Sequence, residues 1–226
     1  MQRRRFTLAG LAASVSGLPG ARAAGALSEG DASQGIRAAL ERGAGAAVDL
    51  LGRNGGFLDN PKVRIPLPGF LAQAAKVLKA TGQQHKVDEL VTAMNRAAEA
   101  AMPEAKALLV QTAKSISVAD AIRIVRGPET AATDYFANKT RQPLSVKFLP
   151  IVTKATEKVA LAEKFNAVAS QAARLGLMKG DDANVQRYVT AKSLDGLYLM
   201  IGEEERRIRQ DPIGTGSAIL KKVFGG

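Results

Sequence analysis

The chain has 226 residues, a formal net charge of +11 and no cysteine, so it is long enough for one substantial core. The missing thiols exclude a disulfide framework, thiolate metal sites, a cysteine nucleophile and a lipid-modified N-terminal cysteine. Stability must come from packing.

The first residues read as an address. Arg3, Arg4 and Arg5 precede a short apolar run from Phe6 to Leu18, and Ala21-Arg22-Ala23 supplies the small-x-small pattern of a cleavage site. The run is too short to span a bilayer as a helix, so residues 1–23 are expected to be a cleavable export signal and residues 24–226 a single helical domain. Arg3-Arg4-Arg5-Phe6 matches the twin-arginine pattern, and an ordinary secretory signal with a basic n-region is the alternative. Either route predicts a periplasmic or external location. Removing Arg3, Arg4, Arg5 and Arg22 takes the balance from 32 Lys+Arg to 28, against 21 Asp+Glu, or about +7. That charge favours anionic company in the envelope. Nucleic acid is not expected as a partner, because export separates the two and only 3 Tyr, 7 Phe and no Trp are available to stack on bases.

Apolar residues three and four apart recur along the chain with almost no period-two alternation, which predicts an all-α fold. A first helix is expected over Ser33 to Leu51, with Ile36, Leu40, Ala44, Ala47 and Leu51 as its buried stripe and the glycines at 52, 55 and 56 as its stop. Phe57 to Pro68 carries three prolines and is expected to be irregular, with Val63 and Ile65 in one short extended piece. Helices follow over Gly69 to Ala80 (stripe Phe70, Ala74, Val77, Leu78), Lys86 to Ala101 (Val87, Leu90, Val91, Met94, Ala98) and Pro103 to Ser115. Ser117 to Asp120 resembles a capping box that opens a short helix ended by Gly127.

Pro128 then opens a helix through Tyr135 and Phe136, and a separate one is expected from Pro143 to Val159, bent or restarted at Pro150. Leu161, Phe165, Val168, Ala172 and Leu175 form a further seam closed by Gly176. Asn184 to Gln210 is the last long helix, facing inward with Ala191, Leu194, Tyr198, Ile201 and Ile208, and Ser217 to Phe224 is a short tail helix.

Several runs resemble one known family: Phe57 to Pro68, Ala93 to Glu99, Phe148 to Val152, Ser193 to Leu197, and Glu203 to Pro212. Together they are similar to an exported bacterial family known as domain of unknown function 4197, over about Leu27 to Phe224. The resemblance implies a periplasmic helical domain and transfers no activity, cofactor or catalytic residue.

Few residues carry the potential for chemistry. His85, the only histidine, sits at a helix start with no nucleophile or ligand pair beside it, and is expected to be exposed. Glu203 with Arg207 and Glu205 with Arg209 have the favourable four-residue spacing for surface pairs. Glu205 also falls on the seam of Ile201 and Ile208, so its carboxylate is expected to face inward and to need a cationic or donor partner. A general acid, or a hard-cation site shared with Asp195, is the functional alternative to that pairing.

Arg96 and Glu99 are expected to pair along the surface of their helix. Asn95 borders the apolar side, and with Asp195 it is a candidate for lining a polar pocket. Gly214-Thr215-Gly216-Ser217 before Lys221 and Lys222 reads as a spacer and helix cap, with a weak alternative as an anion site. Arg64 is the candidate contact residue in the irregular passage.

The expected function is therefore a non-enzymatic binding module of the cell envelope, docking on an envelope protein or an anionic envelope component. The candidate binding residues are Arg64, Asn95, Asp195 and Glu205, with no cofactor, no metal and no transmembrane anchor expected. The alternatives are a metal-independent hydrolase-like enzyme using buried carboxylates and a small-ligand carrier.

Overall fold

The computed structural model describes residues 29–157, 162, 163, 166, 184–212 and 214. Among these residues there are seven helices and no strand: α1 (Glu29–Leu51), α2 (Gly69–Ala80), α3 (Gln84–Ala101), α4 (Pro103–Lys114), α5 (Val118–Arg126), α6 (Ala131–Thr156) and α7 (Val185–Gln210). The expected all-α architecture is the observed one. The expected seam from Leu161 to Leu175, the tail helix Ser217 to Phe224, and residues 1–28 lie outside the described residues, as do the side chains of Phe70, Ala74, Val77 and Leu78.

Local chemistry sets most of the boundaries. Pro103 opens α4, where the missing N–H costs nothing, and Ser117 caps α5 by accepting the Asp120 N–H at 3.1 Å. The Asp120 carboxylate binds the Ser117 hydroxyl at 2.9 Å. Aspartate is one methylene shorter than the glutamate of a full capping box, which reaches back to the cap's own N–H. Asn184 caps α7 by accepting the Arg187 N–H at 3.0 Å. After α1 the chain reverses through Gly55 at φ +83°, a conformation that side-chain-bearing residues rarely adopt.

α6 departs from expectation. Instead of two segments divided near Pro143, it is one helix with Pro143 and Pro150 inside it. Ala132, Phe136, Thr140, Leu144, Phe148, Val152 and Thr156 are all buried, an unbroken four-residue step that runs through both prolines. Both prolines stand on the exposed side, where water can satisfy the carbonyls their rings deprive of a partner.

A four-residue step on a helix of 3.6 residues per turn precesses by about 40°, so this stripe turns through roughly 240° over its six steps. α6 is accordingly surrounded. It packs on α7, α3 and α4 and touches α5 and α1, while α1 packs on α4, α7 and α5. α4 and α7 thus bridge the two sides of one core, which includes Phe57, Phe136, Phe148, Met94 and Leu109.

The α1 stripe is buried as expected, and so are Val87, Leu90, Met94 and Ala98 of α3, with Val91 half-buried. In α7, Leu194, Tyr198, Ile201 and Ile208 face inward, but Ala191 is exposed. Thr190 and Ser193 are the buried residues on either side of it, so the inward face enters α7 one residue off the expected track.

Candidate functional site

The irregular passage after α1 is the feature that the rest of the fold is built to hold. It makes backbone turns of its own, with Asn60 O accepting from Val63 N at 3.2 Å and from Arg64 N at 2.8 Å. The decisive bonds come from side chains of α3. Glu99 Oε1 accepts the backbone N–H groups of Phe57 at 3.0 Å and Leu58 at 3.1 Å, while Glu99 Oε2 receives the Arg96 guanidinium at 2.6 Å.

One turn earlier on the same face, Asn95 Oδ1 accepts the Ile65 N–H at 2.8 Å and Asn95 Nδ2 donates to Ile65 O at 3.0 Å and Val91 O at 2.8 Å. Asn95 therefore imitates the edge of a strand, supplying Ile65 with both bonds that a neighbouring strand would give it. Of the short extended piece expected at Val63 and Ile65, Val63 instead closes a backbone turn on Asn60 O, and Ile65 alone pairs with the Asn95 amide.

α7 closes the other side. A Cβ on Gly196 would lie 2.8 Å from Phe57 Cε1 and 3.2 Å from Val63 Cβ, so only glycine lets the Phe57 ring seat there. Lys62 Nζ binds both oxygens of Glu203, at 2.8 and 2.9 Å, and Tyr188 donates its hydroxyl to Pro66 O at 3.2 Å. Phe57, Val63 and Ile65 are consequently buried, whereas Pro61, Lys62, Arg64 and Pro66 remain exposed.

Burial by itself pushes the Glu99 carboxyl up, but the Arg96 bond and the two amide bonds from Leu58 and Phe57 outweigh it and hold the group below its ordinary 4.5. Glu99 is thus an anion in a buried position with its donors supplied. The expected pair with Arg96 forms, but Glu99 makes it from a buried position and not along the surface. Its neighbours Ala97, Ala98 and Ala101 are small enough for other elements to close over it.

Glu205 is buried on the α7 seam, as its spacing predicts. Its Oε1 accepts from Ala132 N at 3.0 Å and from Arg209 at 2.9 and 3.1 Å; its Oε2 accepts from Thr133 N and the Thr133 hydroxyl, both at 2.8 Å. These are orphan N–H groups of the first turn of α6, where a carboxylate also complements the helix dipole. Arg209 donates onward to Ile124 O at 3.0 Å near the end of α5. The pair therefore ties the end of α5 to the start of α6.

Asp195 is in neither cluster. It is half-exposed and holds Arg141 at 2.9 Å and Lys192 at 3.2 Å, and Arg141 lies 5.0 Å from the centre of the Tyr198 ring. Buried Tyr198 shares a 2.7 Å hydroxyl bond with Thr140 across the α6–α7 contact. Burial raises its phenol, and that bond and the Arg141 charge offset part of the rise.

The proposed pocket between Asn95 and Asp195 does not form, because Asn95 faces the core and Asp195 faces out. Nor can Asp195 and Glu205 share a cation: ten residues of helix separate them by about 15 Å. Among the described residues no three acidic or histidine side chains gather as a metal site, and no helix is long and apolar enough to cross a membrane.

Arg64 is exposed, and its guanidinium has no ion-pair partner among the described residues. His85 is exposed in the first turn of α3. Glu203 pairs with Lys62 and not Arg207, which binds Glu204 instead. Of the Gly214 to Ser217 run only Gly214 is described, its N–H bound to Asp211 at 2.8 Å.

The runs that carried the family resemblance are largely those that build this arrangement: the 57–68 segment, the α3 stretch with Asn95 and Glu99, Gly196 with its neighbours, and the Glu205–Arg209 tie. The model of one family, described as a protein of unknown function and designated DUF4197, matches residues 26–225. The chain belongs to that family. No curated protein and no solved structure matches it. In this DUF4197 domain the buried side chains of Asn95, Glu99 and Glu205 thus bind a helix start and loop backbone groups. The hollows described at its surface, of about 310 to 480 Å³, have none of Asn95, Glu99, Asp195 or Glu205 in their walls, and one is lined by Asp59, Asn60 and Pro61 of the 57–68 segment.

Proposed function

We propose that the domain is a binding module and not an enzyme, and that the exposed side of the 57–68 segment is the face it offers to a protein of the cell envelope. The observation that carries this reading is the way the segment is held. Glu99, Asn95 and Gly196 fix its inner side from two helices, while Pro61, Arg64 and Pro66 point to solvent. A loop fixed in this way meets a partner with little ordering cost, which is how rigid scaffolds present recognition residues.

The carboxylates expected to serve a hydrolase support the same reading from the other direction. Glu205 has its oxygens filled by amides, a hydroxyl and a guanidinium group, and Asp195 is neutralised by two cations; the buried Glu99, which the sequence did not mark for catalysis, is filled in the same way. A general acid or base needs access to substrate, and these oxygens are occupied by the protein's own amides and cations. The export signal in residues 1–23 places the module in the periplasm under this proposal, through the twin-arginine route.

The test is affinity capture from periplasmic extract with the wild-type chain and Arg64→Glu, identifying the protein retained. A partner held by wild type and released at least tenfold by Arg64→Glu, with Lys86→Glu on α3 as a neutral control, is the expected result. Equal retention by all three chains, or hydrolytic turnover abolished by Glu205→Gln in a chain that still folds, contradicts it. For the route, Arg3→Lys with Arg4→Lys is expected to leave the chain in the cytoplasmic fraction.

A further inference from the structure

A second surface, independent of the 57–68 segment, is formed by the outer face of α6. No acidic residue occurs between Asp134 and Glu157, while Lys139, Arg141, Lys147 and Lys154 do. Arg141 is engaged by Asp195; the three lysines are exposed and have no ion-pair partner among the described residues. At 100° per residue they fall, with Pro143, Val146 and Pro150, within about 100° of the helix circumference, along roughly 22 Å of its length.

Two further features belong to this face. Val146, at 66%, is the most exposed large apolar side chain among the described residues, and it lies between the lysines. Beside it, between α6 and α7, is a cleft of about 360 Å³ whose lining includes Gln142, Ser145, Val146, Leu149 and Arg187, with no carboxylate among the described residues of its wall. Lys139 lies 5.9 Å from the centre of the half-buried Tyr135 ring, which keeps its charge on this side of the helix.

We propose that this face docks the domain on an anionic lipid surface, with the lysines over the headgroups, Val146 dipping to the acyl boundary and the cleft beside it receiving one headgroup. Charge complementarity selects an anionic occupant, because the middle of the face is cationic among the described residues, with Asp120 and Asp134 beside Tyr135 at one end and Glu157 and Glu163 at the other. The exposed valine among lysines selects a bilayer over a soluble polyanion, which would leave that side chain in water. Each lysine near an anionic membrane adds a modest attraction, and an apolar side chain at the interface adds to it, so the association is weak and salt-sensitive.

Because the chain has no cysteine, one introduced thiol reports on one place. The full-length Val146→Cys chain carrying an environment-sensitive dye is titrated with vesicles of 30% phosphatidylglycerol in phosphatidylcholine and with phosphatidylcholine alone. A Val118→Cys chain labelled on α5 serves as the positional control. The proposal expects a blue shift at position 146 on the anionic vesicles only, abolished by 0.5 M salt, with position 118 unshifted. Combining Lys139→Gln, Lys147→Gln and Lys154→Gln should raise the half-saturating lipid concentration at least tenfold. Lys76→Gln with Lys79→Gln and Lys86→Gln, elsewhere on the surface, should leave it within twofold.

Absence of the shift overturns the proposal. So do equal shifts at 118 and 146, or equal losses from the two lysine sets, which mean attraction by net charge alone. Lysine-dependent binding to polyglutamate without a vesicle response assigns the face to an acidic polymer and also overturns it. Failure of the Arg64 reading leaves this result untouched.

Discussion

Glu99 carries the greatest structural responsibility for its size. Replacing it with alanine leaves the Phe57 and Leu58 amides without acceptors and Arg96 without its partner, which is expected to cost about 3 kcal/mol in denaturant unfolding. Its carboxyl is held below 4.5 in the folded chain, so its stabilising contribution is fully present above that value and is lost as pH falls through the lower folded value. Measured against Glu99→Gln, the stability advantage of wild type should therefore be constant near neutrality and shrink below about pH 4.5.

Glu205→Ala strands the first-turn amides of α6 together with Arg209, and is expected to cost about 3 to 5 kcal/mol. The inward turn of Glu205 was legible in its spacing from Ile201 and Ile208. That of Glu99 was not. α3 is buried over a wide sector because Ala97, Ala98 and Ala101 let other elements approach, and a stripe drawn through its larger side chains is too narrow.

Among the elements, α6 and α7 show what spacing and composition each reveal. Proline chemistry predicted a break in α6, yet the four-residue buried step through Phe136, Leu144, Phe148 and Val152 continues across both prolines. Packing on surrounding helices outweighs two missing hydrogen bonds on the wet side. Pro150→Ala restores one N–H on that side and is expected to stabilise the chain by about 1 to 2 kcal/mol, read as a raised Tm. A lowered Tm would mean that the ring itself is required by the helix.

Gly196→Ala tests the opposite kind of residue. Better helix propensity favours alanine by about 1 kcal/mol, but the new methyl meets the Phe57 ring at 2.8 Å and the net effect should be a loss of about 1 to 3 kcal/mol. Phe57→Leu should recover part of that loss in a double-mutant cycle. Glycine in Ser193 to Leu197 carried no sign of this in the sequence, since its reason is a ring more than a hundred residues away.

At the scale of the whole molecule, the helical class and most helix boundaries followed from periodicity, capping residues and prolines, because those are local causes. The candidate site did not follow in the same way. Arg64, Asn95, Asp195 and Glu205 were each read from local spacing, and the fold sends them to four different tasks: an exposed side chain, a strand mimic, a surface ion pair and a helix cap. What unites the buried ones is a long-range purpose, fixing segments that cannot hydrogen-bond themselves.

The 57–68 segment is a rigid part of the core, with α3 side chains serving as its hydrogen-bond partners. Amide hydrogen exchange at Phe57, Leu58 and Ile65 tests it most directly. Protection comparable to the interior of α3 is expected at all three amides, with Asn95→Ala releasing Ile65 first and Glu99→Ala releasing Phe57 and Leu58. Exchange of the three at the rate of an open loop in the wild-type chain would contradict it.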